Sequence, residues 1–455
     1  MIIRNARVVT LDAANRVLEG AEVEIGADGA IKRVGEALAG GGLRVVGSPP
    51  PTTHNPPTAS TVLDARGKLL MPALINCHTH LYSTLARGIP LPGPAPKNFP
   101  EILKKLWWRL DRALDLDDVY YSALVGLIDS AKNGVGTLVD HHSSPNACAG
   151  SLDQVERAFR EVGLRGVLCY ETSDRDGPEK ARAALVENIR FIERTGRGGD
   201  GLIAASFGLH ASFTLSDRTL RQAVEAEETL GAGFHIHVAE DRSDLDHARR
   251  RFHKTVVGRL RDLGVLTDRT LAAHCIHVTA GDIAALAKLG ANVAHNPQSN
   301  ANNAVGIAKL VELMKGGVLV GLGSDGYSPR MWEEFKTAFH MQKVRTGDPR
   351  VGYAEAYAAA LLNNRAIARK LWGMEIGRIE AGARADLVLV DYYPPTPLDA
   401  GNLFGHLLFG IANAPIDTLI VDGRPVIQDK RCVTVDEAAV AERATRQAKA
   451  LWQRF

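Results

Sequence analysis

Eight short apolar runs recur between residues 74 and 325, and each ends at or near a side chain that can carry charge or bind a metal. They cover 74–80, 134–142, 165–174, 202–213, 233–240, 270–277, 291–296 and 318–325. Stretches with helical spacing of apolar positions, such as 152–162, 218–230 and 282–289, separate them. Strand–helix alternation over about 250 to 300 residues predicts a (β/α)8 TIM barrel, whose strands deliver their C-terminal ends to one mouth. A doubly wound open sheet would not gather eight strand ends around one point. No Gly-x-Gly-x-x-Gly follows the first run, which further weakens a dinucleotide fold.

Outside the alternating region the pattern changes. Residues 2–11, 21–25 and 31–34 read as strands, punctuated by Ala27-Asp28-Gly29 and Gly40-Gly41-Gly42, and a second all-β signal follows at 386–390 and 418–423. The expected organisation is a small discontinuous β-sandwich built from both termini, 1–70 and 375–435, around a barrel at 71–374. Residues 436–455 carry Ala, Glu and Arg at helical spacing and predict a surface helix. The proline-rich stretch 48–60 reads as an exposed loop, which makes its His54 a poor ligand candidate.

Composition narrows the classes. With 45% apolar and 23% charged residues the chain is an ordinary globular one, and a net charge of +2 without a Lys/Arg stripe gives no reason to expect nucleic acid or an anionic membrane as partner. The start Met1-Ile2-Ile3-Arg4-Asn5 lacks a signal-peptide pattern, and no long apolar span occurs. Five scattered cysteines without Cys-x-x-Cys suit a reducing compartment, so the expected location is cytoplasmic.

The strand ends hold the chemistry. The first run closes on Asn76-Cys77-His78-Thr79-His80, and two imidazoles at i and i+2 of a strand share one face and can reach one cation. Ten of the fifteen histidines lie in or just after the eight runs, where chance would scatter them. A water-activating divalent metal needs three or four N/O donors, one open position and a nearby base. His78, His80, His237, His274 and Asp325 are the donor candidates. Glu240, three residues beyond His237, can reach the attacking water without binding metal.

Other residues admit two readings. His210 and His295 either contact substrate or orient loops. Glu171, Asp174 and Arg175 either bind a polar substrate edge or form a solvated loop cluster. Trp107, Trp108 and Phe99 follow a segment, 91–100, that reads as a loop over the pocket; Trp107 is the candidate to stack on a planar base, with core packing as the alternative. His141 and His142 are consecutive, so at most one points inward on a regular strand, and the other is expected at the surface.

In order, Met71–His80, His210–Thr214, His237–Glu240, Ala273-His274-Cys275, His295–Asn300, Gly323–Gly326 and Gly377–Leu387 resemble the amidohydrolase superfamily. Within it the likeness is to the mononuclear aminohydrolases, the guanine and cytosine deaminase and chlorohydrolase-related group; Asp140–Pro145 and Tyr170–Gly177 look most like the SsnA-type aminohydrolases. The resemblance implies one divalent metal, Zn2+ before Fe2+, on His78, His80, His237 and Asp325. It assigns catalytic work to Glu240, His274 and Asp325. Binuclear relatives use a Lys or an acid on the fourth strand, and 202–210 offers neither. The implied reaction is hydrolytic deamination of an aromatic amino-heterocycle (purine, pyrimidine, pterin or triazine) by attack of metal-bound hydroxide. Alternatives are hydrolysis of a cyclic amide or imidazolone-type ring, and an inactive metal-binding scaffold. A free heterocycle leads over a nucleoside, because nucleoside-deaminating relatives grip ribose with an acid in the segment after the first strand, and the only acid between 91 and 110, Glu101, has no fixed register against theirs. Assembly as a homo-oligomer is expected, as in many such barrels.

Overall fold

The computed structural model describes residues 1–37, 43–45, 62–196 and 198–455; the proline-rich stretch 48–60, with His54, lies outside the described residues. The chain divides into two compact units, one of residues 1–75, 130–136 and 375–434, the other of 76–129, 137–374 and 435–455.

In the first unit ten strands join in one hydrogen-bonded network. Ile2–Val9 and Val17–Ile25 alternate buried and exposed positions, as strands with one dry face do, and pair antiparallel. Both termini meet where Leu69–Pro72 lies parallel to Ile2–Val9 and antiparallel to Leu387–Val390. Ile3, Val8, Val23, Ile31, Leu70, Leu387, Leu389 and Ile420 share one buried core.

The eight barrel strands are β1 (Leu74–Thr79), β2 (Val135–His142), β3 (Arg165–Tyr170), β4 (Ile203–Ala205 continuing as Phe207–Ala211), β5 (Phe234–Val238), β6 (Leu271–His274), β7 (Asn292–His295) and β8 (Leu319–Leu322). Neighbours run parallel, and nearly every residue is buried because both faces are covered, which is why the runs are apolar without alternating. Parallel bridges Thr172↔Leu209 and Thr79↔Asp325 close the ring between its two sheets.

Helices connect the strands where the sequence places caps. Asp241, directly after Glu240, accepts from the Ser243 amide and starts Arg242–Phe252; Thr279 and Asp282 form a capping box that starts Ala280–Leu289. The C-terminal helix spans Glu437–Arg454. Among the described residues no helix is long and apolar enough to cross a membrane.

One departure from the sequence reading shapes the site. The segment after β1 leaves its loop at Asn98, which caps a helix, and continues as Phe99–Ile102, a π-helical turn Leu103–Trp107, and Trp108–Ala113. Four prolines at 92, 94, 96 and 100 conceal this helix, although Pro100 sits in its first turn, where a missing N–H costs nothing.

Candidate active site

β1 projects His78 and His80 to one side, β5 adds His237 two residues after His235, β6 ends in His274, and Asp325 follows β8. Three backbone positions make this convergence possible. Ala239, His274 and Asp325 adopt positive φ of 47°, 73° and 56°, a region that non-glycine residues occupy at a cost when surrounding structure demands it. The turn at Ala239 brings Glu240 back over the mouth. Gly323 is needed where β8 passes β1: a Cβ there would stand 2.5 Å from Asn296 Oδ1 and 2.7 Å from the His78 amide nitrogen.

Asp325 Oδ1 lies 3.0 Å from His80 Nε2 and 3.5 Å from His78 Nε2, and His80 Nε2 lies 3.1 Å from His237 Nε2. One ligand atom each from His78, His237, His274 and Asp325 fall within 4.8 Å of one another. Nε2 of His78 and Nε2 of His274 are buried with no hydrogen bond to satisfy them. Converging nitrogen lone pairs beside a carboxylate, with orphaned imidazole nitrogens at the centre, fit a divalent cation. The opposite ring nitrogens are held: His80 Nδ1 donates to the His141 carbonyl at 2.6 Å, His237 Nδ1 to the His210 carbonyl at 2.8 Å, and His78 Nδ1 meets His235 Nε2 at 2.8 Å.

Electrostatics sort the groups. Burial drives the His78 imidazole down to about 3 and His237 well below its ordinary value, so both are neutral and available as ligands. Burial also pushes His80 down, but the hydrogen bond and charge of Asp325 outweigh it and bring His80 up to about 9. Asp325 is held well below the usual carboxylate range because its contacts with His78 and His80 overcome the penalty of burial. Glu240 goes the other way: burial first, then the negative charge of Asp325, raise it well above that range and favour its protonated form.

His274 and Glu240 face each other, Nε2 to Oε2, at 3.6 Å. His274 Nδ1 donates to Asn300 Oδ1 at 2.8 Å, which leaves Nε2 as the bare acceptor. Ser299 Oγ donates to Asp325 Oδ2 at 2.5 Å. Ser299 and Asn300 come from the His295–Asn300 motif, whose proline opens the helix Pro297–Asn302.

The pocket above these groups is walled by Phe99, Leu103, Trp107 and Trp108 from the unexpected helix, with Tyr82, Tyr327, Ser299, Asn302 and Asn303 around it. Trp107, His210 and Glu171 line it as the sequence suggests. Glu171 is ionised: burial opposes this, but His210, His141 and Arg175 together hold it well below its ordinary value. Its carboxylate takes Arg175 Nη1 at 3.0 Å, and Arg175 also reaches Asp111, Ser143 and Asp176. Arg175 and Glu171 are therefore a buried network lining the pocket, not a solvated cluster.

Several expectations do not hold in space. His295 is buried beside Asn300 and does not line the pocket. Asp174 turns away to accept from the Ser216 amide and the Thr219 hydroxyl. Glu101 is also absent from the pocket and pairs with Lys105 at 2.8 Å. Neither of the paired histidines is at the surface: His141 packs against His80, His235 and His237, while His142 faces the other way and is sealed between Tyr82 and Tyr170, with Ser144 Oγ on its Nε2 at 2.9 Å. The strand-parity rule is obeyed, but Tyr82 and Tyr170 cover the outward ring of His142. Asn300, Ser299 and Arg175 are the contributors that residue type alone underrates; each sits inside a motif, the first two in His295–Asn300 and Arg175 in Tyr170–Gly177.

The chain belongs to the amidohydrolase family, whose profile matches residues 69–426. It is 36% identical over 401 residues to a 5-methylthioadenosine/S-adenosylhomocysteine deaminase of Desulforudis audaxviator, covering 86% of this chain and 89% of the relative. It is 33% identical over 455 residues to a 5'-deoxyadenosine deaminase of Methanosarcina acetivorans, covering 99% and 98%. Its fold matches a zinc-bound adenosine deaminase from Xanthomonas campestris (TM-score 0.83, 22% identity, 100% and 98% covered) and the zinc-complexed atrazine chlorohydrolase TrzN from Arthrobacter aurescens (TM-score 0.81, 18% identity, 99% of each covered).

Proposed function

We propose that this protein is a metal-dependent aminohydrolase that hydrolytically deaminates an aromatic amino-heterocycle. The observation that carries the reading is Glu240 Oε2 placed 3.6 Å from His274 Nε2, beside the converging donors of His78, His80, His237 and Asp325 and beneath an aromatic wall. The deaminases named among the sequence relatives make adenine-bearing nucleosides the first substrates to try, ahead of the free heterocycle expected from the sequence.

His78, His80, His237 and Asp325 would hold the ion, and Zn2+ suits three imidazoles with one carboxylate. When bound, it supplies Lewis acidity that makes water nucleophilic near neutral pH. The chain's own groups do the rest. His274 Nε2, bare because Nδ1–H is committed to Asn300, accepts a hydrogen bond from the attacking water and orients it. Asp325, steadied by Ser299, takes the water's proton. Glu240 gives its proton to the ring nitrogen next to the amino-bearing carbon, which makes that carbon electrophilic. The water oxygen bonds to that carbon, Asp325 passes the proton it took to the amino group, which departs as ammonia, and the remaining hydroxyl proton returns to Glu240, so that C=O replaces C–N and the ring nitrogen keeps its hydrogen. Trp107 and its neighbours stack on the ring, and His210 with Glu171 faces its far edge.

The test is ammonia release by metal-quantified protein from adenosine-type nucleosides, free purines, pyrimidines, pterins and triazines. Release from one class, absent in a Glu240→Gln variant with its metal intact, is the expected result. Silence across the panel with one metal bound per chain overturns the deaminase reading.

A further inference from the structure

Two of the three histidines in the ion-binding cluster are oriented by backbone carbonyls, His80 by that of His141 and His237 by that of His210. A carbonyl can only accept, so it permits one tautomer of its partner. His78 differs. Its Nδ1 lies 2.8 Å from a side-chain nitrogen, Nε2 of His235. An imidazole accepts at a given nitrogen only when its proton is on the other one. For His78 to present a bare Nε2 to a cation, Nδ1 must carry hydrogen and donate it, and His235 must be bare at Nε2 and protonated at Nδ1.

The surroundings of His235 favour that state. Its Nδ1 faces Cys169 Sγ at 3.8 Å, within reach for a sulfur acceptor, and the Cys169 thiol lies 3.4 Å from the Asp140 carbonyl oxygen. The carbonyl at the end of this row can only accept. With the thiol donating to it, the sulfur lone pairs, which the Ser206 hydroxyl also approaches, accept from His235 Nδ1–H, and His235 Nε2 accepts from His78 Nδ1–H. His78, Asp140, Cys169 and His235 are all fully buried, so no solvent water competes for these hydrogens. The arrangement follows from strand parity: His235 stands two residues before His237 on the same face of β5, one layer deeper in the barrel, where β3 supplies Cys169.

We infer that His235 is a positioning residue for the metal site, fixing the tautomer and ring orientation of His78 through a one-way row of hydrogen bonds that ends on Cys169 and the Asp140 carbonyl. The inference rests on His78 being a metal ligand, the reading given above. It assigns His235 no contact with substrate or with the ion.

The experiment measures Zn2+ affinity of the full-length protein by competition with a chromogenic chelator, for the unaltered chain, His78→Asn, His235→Phe and His235→Gln. Phe fills the space but cannot accept a hydrogen bond, whereas the Gln amide oxygen can. The expected result is severe loss of affinity in His78→Asn, a loss of about 10- to 100-fold in His235→Phe, and recovery of most of it in His235→Gln. If His78→Asn loses the metal but His235→Phe binds it as tightly as the unaltered chain, the role of His235 is overturned and the metal reading stands. If His78→Asn also binds undiminished, the metal reading itself fails. Neutron diffraction from deuterium-exchanged crystals of the zinc-loaded unaltered protein decides the question even if His235→Phe does not fold: deuterium on Nδ1 of both His78 and His235 supports the inference, and deuterium on His235 Nε2 overturns it.

Discussion

Glu240 Oε2 stands 3.6 Å from His274 Nε2, at the boundary between the ion-binding cluster and the aromatic pocket. The pair is complementary in protonation. Burial and the Asp325 charge favour the protonated carboxyl, and burial favours the neutral imidazole against the pull of Asp325 and Asn300, while the Asn300 contact on Nδ1 turns its bare nitrogen forward. An acid and a base held apart in this way, one residue from β5 and one from β6, can serve opposite sides of the same reacting carbon.

Replacing Glu240 with Gln removes a transferable proton while preserving size and one hydrogen-bonding edge. Turnover should fall by about 10^2- to 10^4-fold, with metal content unchanged because Glu240 lies outside the cluster. Steady-state ammonia release paired with metal analysis checks this. Turnover within a factor of two of the unaltered enzyme would remove Glu240 from the chemistry.

Stability of the metal-free protein should depend on pH through His80. Its folded value is raised to about 9 from an ordinary 6.5 by Asp325, so its contribution is fully present below 6.5 and is lost as pH rises through 9. The amount is at most about 3 kcal/mol. Thermal midpoints of chelator-treated protein should drop between pH 6.5 and 9.5, and His80→Asn should flatten that part of the profile. An equally steep drop in His80→Asn would refute the assignment.

Strand parity makes much of the centre legible in the sequence. His78 and His80 share a face because they are two apart, and the same rule pairs His235 with His237. What local periodicity does not carry is the partner across the barrel. Nothing near residue 235 announces that its ring meets His78, 157 positions away. Nothing near residue 175 announces Asp111, because a buried ion pair between a strand end and a helix leaves no local pattern. The helix Phe99–Ala113 is hidden for another reason: its prolines read as loop, and only the Asn98 cap and Pro100 in the first turn reveal its start. His142 shows the reverse failure, where parity is right about direction and silent about the tyrosines that bury the outward ring.

Gly323 should be intolerant of a side chain. The Cβ of an alanine would need room already taken by Asn296 Oδ1 at 2.5 Å and by the His78 amide nitrogen at 2.7 Å. Displacing the second disturbs the strand that carries His78, and displacing the first disturbs the side chain beside His274 Nδ1. We expect Gly323→Ala to lose about 1–3 kcal/mol of stability and to bind metal more weakly. Urea denaturation with metal quantification tests both, and a variant as stable and as well loaded as the unaltered chain would show that β8 yields more easily than this packing implies.

Arg175 ties the aromatic wall to the barrel. Its guanidinium is 6% exposed and contacts Glu171 at the end of β3, Asp176 beside it, and Asp111 on the helix that presents Trp107 and Trp108 to the pocket. Arg175→Met keeps the length of the side chain and strands two buried carboxylates, which should cost about 3–5 kcal/mol. Adding Asp111→Asn relieves one of them, so the double variant should be more stable than Arg175→Met alone, a non-additivity expected only of residues in one network. The kinetic signature follows from the geometry. Once the wall loosens, KM for a planar substrate should rise more than kcat falls, because Arg175 holds the stacking surface and leaves Glu240 and His274 untouched. An equal loss in kcat with KM unchanged would place Arg175 in the chemistry instead.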